Sequence, residues 1–122
     1  AALLSPDLYA QAIEPCDRRI VRAFPHVVMH QHSTGFVPTG KYLDMGMRAL
    51  ELHIDSGGPS AQGLYDRHLA ILRERPLIIW GDIPPADLDW LFSKLPTQGL
   101  AIITVVDAPA QASALWSTYA VR

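Results

Sequence analysis

The alternation of apolar and polar positions along the chain predicts four strands separated by helices. Mostly apolar runs, which are typical of buried parallel strands, occupy residues 26–32, 49–55, 76–81 and 99–106. Between these runs, apolar residues recur at the spacing of three to four that is typical of helices. Strands that alternate with helices in this way favour right-handed crossovers and an all-parallel sheet.

The predicted helices begin and end at recognisable residues. Five helical segments cover residues 5–24, 39–46, 60–73, 84–95 and 109–119. In the first segment, Ser5 is expected to cap the helix, with Pro6 at the first helical position. Pro15 lies inside the same helical pattern, and because it has no N–H, we expect it to kink or split the helix.

Two α/β architectures fit this order, both with residues 1–122 as a single domain. One is a small open sheet with helices on both faces. The other is the C-terminal half of a TIM-type (β/α)8 barrel, since a complete barrel needs about 250 residues. The first helix has no strand before it, and a four-stranded sheet would expose two apolar edges. We therefore favour the half-barrel, which is expected to self-associate or to pair with a missing N-terminal half.

Composition narrows the class of protein and of partner. The 122 residues are 49% hydrophobic and 18% charged, with a net charge of -2. There is no basic stripe, which argues against nucleic acid as a partner. A membrane is not expected either, because no apolar run approaches the roughly 20 residues of a membrane span. Cys16 is the single cysteine, which indicates a reducing, cytoplasmic setting.

Polar residues gather where the predicted strands end, the edge at which parallel α/β folds bind ligands. Because side chains alternate along a strand, His30 and His32 share one face of the first strand. His53 and Asp55 likewise share one face of the second. Imidazole and carboxylate groups can hold zinc or another divalent metal. The sequence predicts a metal site made of His30, His32, Asp55 and Asp107.

Other roles are open for the residues near the strand ends. Without a metal, the candidates for acid–base catalysis are His30, His32 and His53. The candidates for substrate contact are Ser33, Gly57, Trp80 and Asp82. Backbone amides around Gly57 could receive an anion if the next helix starts there. Trp80 could instead pack in the core, while Asp82 and Asp107 could cap the helices that follow them.

Two ring-bearing side chains on predicted helices are assigned to packing. His68 follows Leu64 by four residues on an apolar stripe, so it is expected to be packed and hydrogen-bonded. Trp116 lies on the last helix and is expected to pack against its neighbours.

Four segments, in order, resemble the uroporphyrinogen decarboxylase superfamily. Residues 4–9, Leu-Ser-Pro-Asp-Leu-Tyr, resemble its S-P-E-L-F helix start, and residues 30–35, His-Gln-His-Ser-Thr-Gly, resemble its h-H-s-x-G strand end. Residues 42–50 resemble its l-a-e-l-G-a-d-v-l segment, and residues 77–84 resemble v-x-l-x-G-N-l-d-P. The likeness is collinear over nearly the whole chain and implies the last four units of an eight-stranded barrel.

Departures from the family pattern bear on the reaction. Uroporphyrinogen decarboxylases have G-H-G after the last strand, where this chain has Val-Asp-Ala-Pro at residues 106–109, which argues against that activity. The zinc methyltransferases of the superfamily, like methionine synthases, bind metal through an H-x-C pair, an acidic residue and a final cysteine. By this resemblance His30 matches the histidine, and His32 stands at the first cysteine position. Asp55 and Asp107 stand near the other two.

The resemblance therefore implies a metal-dependent, methyltransferase-like enzyme, or a fragment of one, that acts on a small-molecule substrate. A corrinoid protein is then a candidate methyl carrier. Because it has no thiolate ligand, the predicted metal site has harder donor atoms than the sites of these methyltransferases and is less suited to thiol alkylation. Two alternatives stay open. One is a metal-free, decarboxylase-like lyase whose histidines donate protons to a carbanion, and the other is a non-catalytic, truncated half-barrel.

Overall fold

The computed structural model describes residues 3–120, in which strands and helices alternate as predicted. The strands are β1 (Val28–His32), β2 (Ala49–Ile54), β3 (Leu77–Gly81) and β4 (Leu100–Thr104). The helices are α1 (Pro6–Leu8), α2 (Glu14–Ala23), α3 (Thr39–Asp44), α4 (Tyr65–Leu72), α5 (Pro85–Lys94) and α6 (Pro109–Tyr119). The helix predicted over residues 60–73 differs, because it begins as a 3-10 turn, Gln62–Leu64. Within the described residues, no helix has the length and apolar character needed to cross a bilayer.

The four strands form one all-parallel sheet in the order β1-β2-β3-β4. Its register places His30 beside Glu51, and it places His53 between His32 and Trp80. Strands that are neighbours in sequence are neighbours in the sheet, so β1 and β4 are its two edges. The predicted α/β class with parallel units is confirmed.

The N-terminal helical segment changes its hydrogen bonding just before Pro15. Ser5 caps α1 as predicted, because its Oγ accepts from the Leu8 amide at 3.2 Å. A π-helical turn, Tyr9–Ile13, then joins α1 to α2, and the Glu14 amide donates to the Tyr9 carbonyl five residues earlier. Since Pro15 has no N–H to donate, the wider turn absorbs the break in the pattern. The predicted kink or split is confirmed.

One face of the sheet carries the hydrophobic core. On the central strands, the fully buried side chains on this face are Leu50, Leu52, Leu77 and Ile79. The helices and turns cover them with a single cluster of buried side chains: Tyr9, Tyr42, Leu43, Met47, Ala61, Leu64, Ile71, Ile83, Leu88, Leu91 and Leu95. The helical side chains of this cluster therefore pack on the same side of the sheet.

The opposite face of the sheet, called the open face below, stays uncovered within the described residues. Its side chains are Val28, His30, His32, Glu51, His53, Asp55, Ile78, Trp80, Ala101, Ile103 and Val105, and none of them belongs to the core cluster. Val28 and Ile103, on the two edges, are 49% and 50% exposed. A sheet with helices on both faces does not describe residues 3–120. One covered face and sequential strands are compatible with half of a barrel.

Two helical side chains depart from the packing expected of them. Trp116, expected to pack, is 76% exposed. His68 is fully buried as expected, but neither of its ring nitrogens has a hydrogen-bond partner in the described part of the chain. Burial, aided by the charge of Arg67, lowers the pKa of His68 to about 4. The ring is therefore neutral at pH 7.

Candidate functional site

The polar side chains of the open face meet at the carboxyl ends of β1 and β2. We call the set formed by His30, His32, Glu51, His53 and Asp55 the histidine cluster. Ring centroids lie 4.9 Å apart for His30 and His32, and 5.1 Å apart for His32 and His53. The strand alternation that predicted a shared face for these histidines is confirmed.

Asp55 is the residue on which the cluster converges. His32 Nδ1 donates to its Oδ1 at 2.5 Å, and His53 Nδ1 donates to the same oxygen at 2.8 Å. The other oxygen, Oδ2, accepts from the amide and hydroxyl of Ser33 at 2.9 and 3.1 Å. It also accepts from the amide and hydroxyl of Thr34, both at 3.3 Å.

These hydrogen bonds determine the charge of Asp55. Burial alone would raise the pKa of its carboxyl, but the bonds from His32, His53 and Ser33 outweigh burial and hold the pKa well below its usual range. Asp55 is therefore an anion at neutral pH. An anion can only accept hydrogen bonds, so both histidines must carry their hydrogen on Nδ1.

Glu51 plays the same part for His30. The two residues are direct neighbours in the β1–β2 register, and His30 Nδ1 lies 2.5 Å from Glu51 Oε1. The side chain of Glu51 is 20% exposed, whereas that of His30 is 43% exposed. A carboxylate at this distance places the hydrogen of His30 on Nδ1 as well.

As a result, two nitrogen lone pairs face each other. His30 Nε2 and His32 Nε2 are 3.3 Å apart. When both rings are neutral and carry their hydrogen on Nδ1, both Nε2 atoms are acceptors, and neither can donate to the other. This arrangement is favourable only if the two nitrogens share a proton or bind a common cation.

Two sets of metal ligands fit this geometry. In one, potential ligand atoms of His32, His53 and Asp55 all lie within 4.8 Å of one another. There, however, the Nδ1 atoms sit at hydrogen-bond distance from the carboxylate, which suits a group that orients the histidines. In the other, the ligands are the Nε2 atoms of His30 and His32. Two nitrogens bound to one tetrahedral zinc would be about 3.3 Å apart.

Trp80 lies beside the cluster on the open face. Its ring centroid is 4.9 Å from that of His53 and 5.8 Å from that of His30. The side chain is 38% exposed and does not belong to the core cluster, so packing in the core does not describe it. Its position agrees with the prediction that it contacts a substrate, which remains a prediction.

The loop after β2 packs against the residues that hydrogen-bond Asp55. The Gly58 amide donates to the Asp55 carbonyl at 3.0 Å, and Gly57 adopts a φ of +76°, which glycine tolerates best. A Cβ on Gly58 would lie 3.0 Å from Thr34 Cγ2 and 3.2 Å from Ser33 Oγ. The next helical turn begins at Gln62, so the condition for an anion site around Gly57 is not met.

Asp82 and Asp107 follow β3 and β4, outside the two strands that carry the cluster. They line a different pocket, together with Thr104 and Gln111, between the ends of β3 and β4. Neither caps the helix that follows it, because the N-cap positions of α5 and α6 are Pro84 and Ala108. The Asp107 amide donates to Gln111 Oε1 at 2.8 Å. β4 is three strands across from β1, roughly 14 Å away. The structure therefore does not bring Asp107 together with the other predicted metal ligands.

Glu51 is the member of the cluster that sequence reasoning missed. It precedes His53 by two residues, so alternation places both on one face of β2. A carboxylate within a mostly apolar strand was the available signal.

Comparisons of the chain with models of known families, with curated proteins and with solved structures give no match.

Proposed function

We propose that this chain forms part of a metal-dependent enzyme, with a divalent cation held by the Nε2 atoms of His30 and His32. The observation that carries the proposal is the 3.3 Å separation of these two nitrogens, each on a ring whose Nδ1 meets a carboxylate. Carboxylate–histidine–metal arrangements of this kind fix the tautomer and raise the basicity of the ligand. The spacing is compatible with tetrahedral zinc, and iron and manganese also accept imidazole nitrogens.

The roles of the remaining residues follow from their contacts. Glu51 and Asp55 hold the ligand rings, so in this proposal Asp55 orients the ligands, and Asp107 is not one of them. His53 keeps its hydrogen on the Nδ1 that meets Asp55, which leaves its Nε2 free to take a proton from a substrate. Trp80, beside His53, offers an aromatic surface to a small molecule.

On the sequence resemblance, we propose the uroporphyrinogen decarboxylase superfamily, on its metal-dependent methyltransferase side, and the parallel α/β fold is compatible with that proposal. Sequential parallel strands and a core on one face are the properties expected of half a (β/α)8 barrel. Catalytic groups of such barrels lie at the carboxyl ends of the strands, as the histidine cluster does. A bound zinc or similar ion would act as a Lewis acid on a substrate oxygen or nitrogen.

The choice of methyl acceptor follows from the donor atoms. Cys16 is the single cysteine of the chain, and it lies exposed on α2, not in the cluster. A metal held by imidazole nitrogens, without a thiolate, is harder than a thiolate site, which favours an oxygen or nitrogen nucleophile over a thiol. A corrinoid protein remains the candidate methyl carrier.

One other function is favoured by the same geometry. If His30 and His32 share a proton across their 3.3 Å contact, the pair could donate it to a carbanion, as a metal-free decarboxylase requires. In the first function a metal ion lies between His30 Nε2 and His32 Nε2, and in the second a proton does. A half-barrel without activity is the third reading, and it predicts neither metal binding nor proton donation.

Equilibrium dialysis of the purified chain against zinc, cobalt and manganese separates these functions. We expect about one tightly bound metal per chain, lost in a His30→Ala/His32→Ala variant and retained in His26→Ala, which changes an exposed histidine before β1. No binding after reconstitution would remove the metal-dependent proposal. Binding that survives the double variant would move the site elsewhere.

A further inference from the structure

Within residues 3–120, the sheet leaves two edges unpaired, one along β1 and one along β4. β1 has a free edge on one side and β4 has one on the other, because the strands follow one another in order. All four strands run in the same direction. The β4 strand of another molecule could therefore pair in parallel with the free edge of β1. A partner with a free β1-type edge and a free β4-type edge can pair with both edges of this sheet at once.

Exposed apolar side chains gather at these two ends of the molecule. Between residues 33 and 99, Trp80 is the one large hydrophobic side chain that is exposed. The others fall before β2 or from β4 onward: Leu3, Leu8, Ile13, Ile20, Phe24, Val28, Ile103, Val105 and Trp116. The outer surfaces of α3, α4 and α5 have none, so the pattern marks the ends and not the surface in general.

The helices at the two ends show the same lack of cover. Neither α2 nor α6 contains a buried residue. Ile20 on α2 is 50% exposed, and Phe24, just after it, is 60% exposed. In a closed α/β barrel each helix packs against the helices on either side of it. The exposed sides of α2 and α6 could each pack against one further helix.

The two ends differ in their exposed charges. Exposed Arg19 and Arg22 lie on α2 around Ile20 and Phe24. Residues 100–120, which form β4 and α6, contain one charged residue, Asp107. Contact of one end with the other therefore sets the exposed arginines against a nearly uncharged surface, whereas contact between two α2 ends would bring arginines together.

We propose that a second copy of this chain docks on the open face, with β4 and α6 of each copy against β1 and α2 of the other. A two-fold axis then pairs all four edges and closes an eight-stranded barrel, so assembly stops at a dimer.

Closure would also change the histidine cluster. The open face would become the inside of the barrel, with the clusters of the two copies facing each other across its mouth. Water access to His30 and His53 would fall, which strengthens electrostatic interactions there. The inference rests on the half-barrel part of the proposed function and does not depend on a bound metal.

Sedimentation equilibrium of the full chain at micromolar concentration tests the docking. The expected mass is twice the 13.4 kDa of one chain. Lysine at the β4 end, in Ile103→Lys and separately in Trp116→Lys, is expected to give monomers that keep the circular dichroism of the parent. Ala70→Lys, on the exposed side of α4, is the matched control and should remain dimeric.

Amide hydrogen exchange then identifies the surface. In the monomeric variants, exchange should rise in β1 as well as in β4, although β1 is not in contact with the substituted residue. Faster exchange confined to β4, a monomeric parent chain, or a ladder of larger species would each overturn the proposal. A monomeric parent would leave a separate N-terminal half-barrel as the occupant. Metal binding measured on the same samples reports the proposed function independently.

Discussion

His30 and Glu51 meet across the β1–β2 pair, with 2.5 Å between Nδ1 and Oε1. The contact follows from the register, which makes the two residues direct neighbours. It turns the Nε2 lone pair of His30 toward His32, so Glu51 determines whether the two nitrogens can bind one cation.

Replacing this carboxylate should weaken metal binding without abolishing it. In Glu51→Gln, the amide no longer fixes the tautomer of His30, and we expect a loss of about 10- to 100-fold in zinc affinity. Isothermal titration with zinc measures the change. Glu74→Gln, an exposed glutamate after α4, is the control and should bind as the parent does. Equal affinities in all three proteins would contradict the role of Glu51 in orienting His30.

Asp55 should stabilise the fold as well as the site. It accepts bonds from two histidines, two amides and two hydroxyls, so Asp55→Asn leaves several donors without a charged acceptor. We expect a loss of about 2 to 4 kcal/mol in the free energy of unfolding, measured with urea. Asp82→Asn, at the exposed aspartate after β3, should cost less than about 0.5 kcal/mol. Similar losses in both would contradict the network.

Close contact between β2 and β3 should make Gly81 hard to replace. A Cβ there would lie 2.8 Å from the Ile54 carbonyl oxygen, a backbone atom that cannot move without shifting β2. We expect Gly81→Ala to lower the free energy of unfolding by about 2 kcal/mol or more.

Gly40 provides the matched control for that substitution. It lies in α3, and a Cβ there would meet no atom within 4 Å. Gly40→Ala should therefore be neutral, or stabilising by up to about 1 kcal/mol, because alanine favours the helix. Denaturation midpoints of the two variants that coincide would contradict the close approach of the strands.

His68 should make the fold sensitive to mild acid. The unfolded chain takes up a proton near the ordinary pKa of 6.5, whereas the buried ring resists protonation until about pH 4. A histidine with a lowered folded pKa destabilises the fold as the pH falls from about 6.5 to about 4. The expected loss over that range is about 3 kcal/mol.

A leucine at this position removes both the titrating group and the unpaired nitrogens. We expect His68→Leu to be at least as stable as the parent at pH 7, and less sensitive to acid than the parent between pH 6.5 and 4. Thermal unfolding at a series of pH values measures both curves. Parallel curves for the two proteins would show that His68 does not carry the acid sensitivity.

The fold could be predicted from periodicity because each element had its own signal. Apolar runs placed the four strands, and Pro15 placed the break that the π-helical turn absorbs. What periodicity could not give was the side of the sheet on which the helices pack. Alternation gives each strand two faces. In this fold the helices pack on the face that carries Leu50 and Leu77, so Trp80 and Ile103, on the other face, stay uncovered.

The site was predictable in part for the same reason. Alternation brought His30, His32, His53 and Asp55 together, because it fixes which residues share a face. It does not fix distances across the sheet, so Asp107 was grouped with residues that β1 and β2 carry, although it follows the far edge strand. Glu51 was missed because its role depends on the β1–β2 register, which pairs it with His30.

X-ray absorption spectroscopy of the zinc-loaded protein tests the central claim most directly. The account predicts two imidazole nitrogens at about 2.0 Å from the metal. One imidazole should be lost in His30→Gln, and neither in His53→Gln. A shell of oxygens alone, or one that changes with His53 and not with His30, would contradict a metal site on the facing Nε2 atoms of His30 and His32.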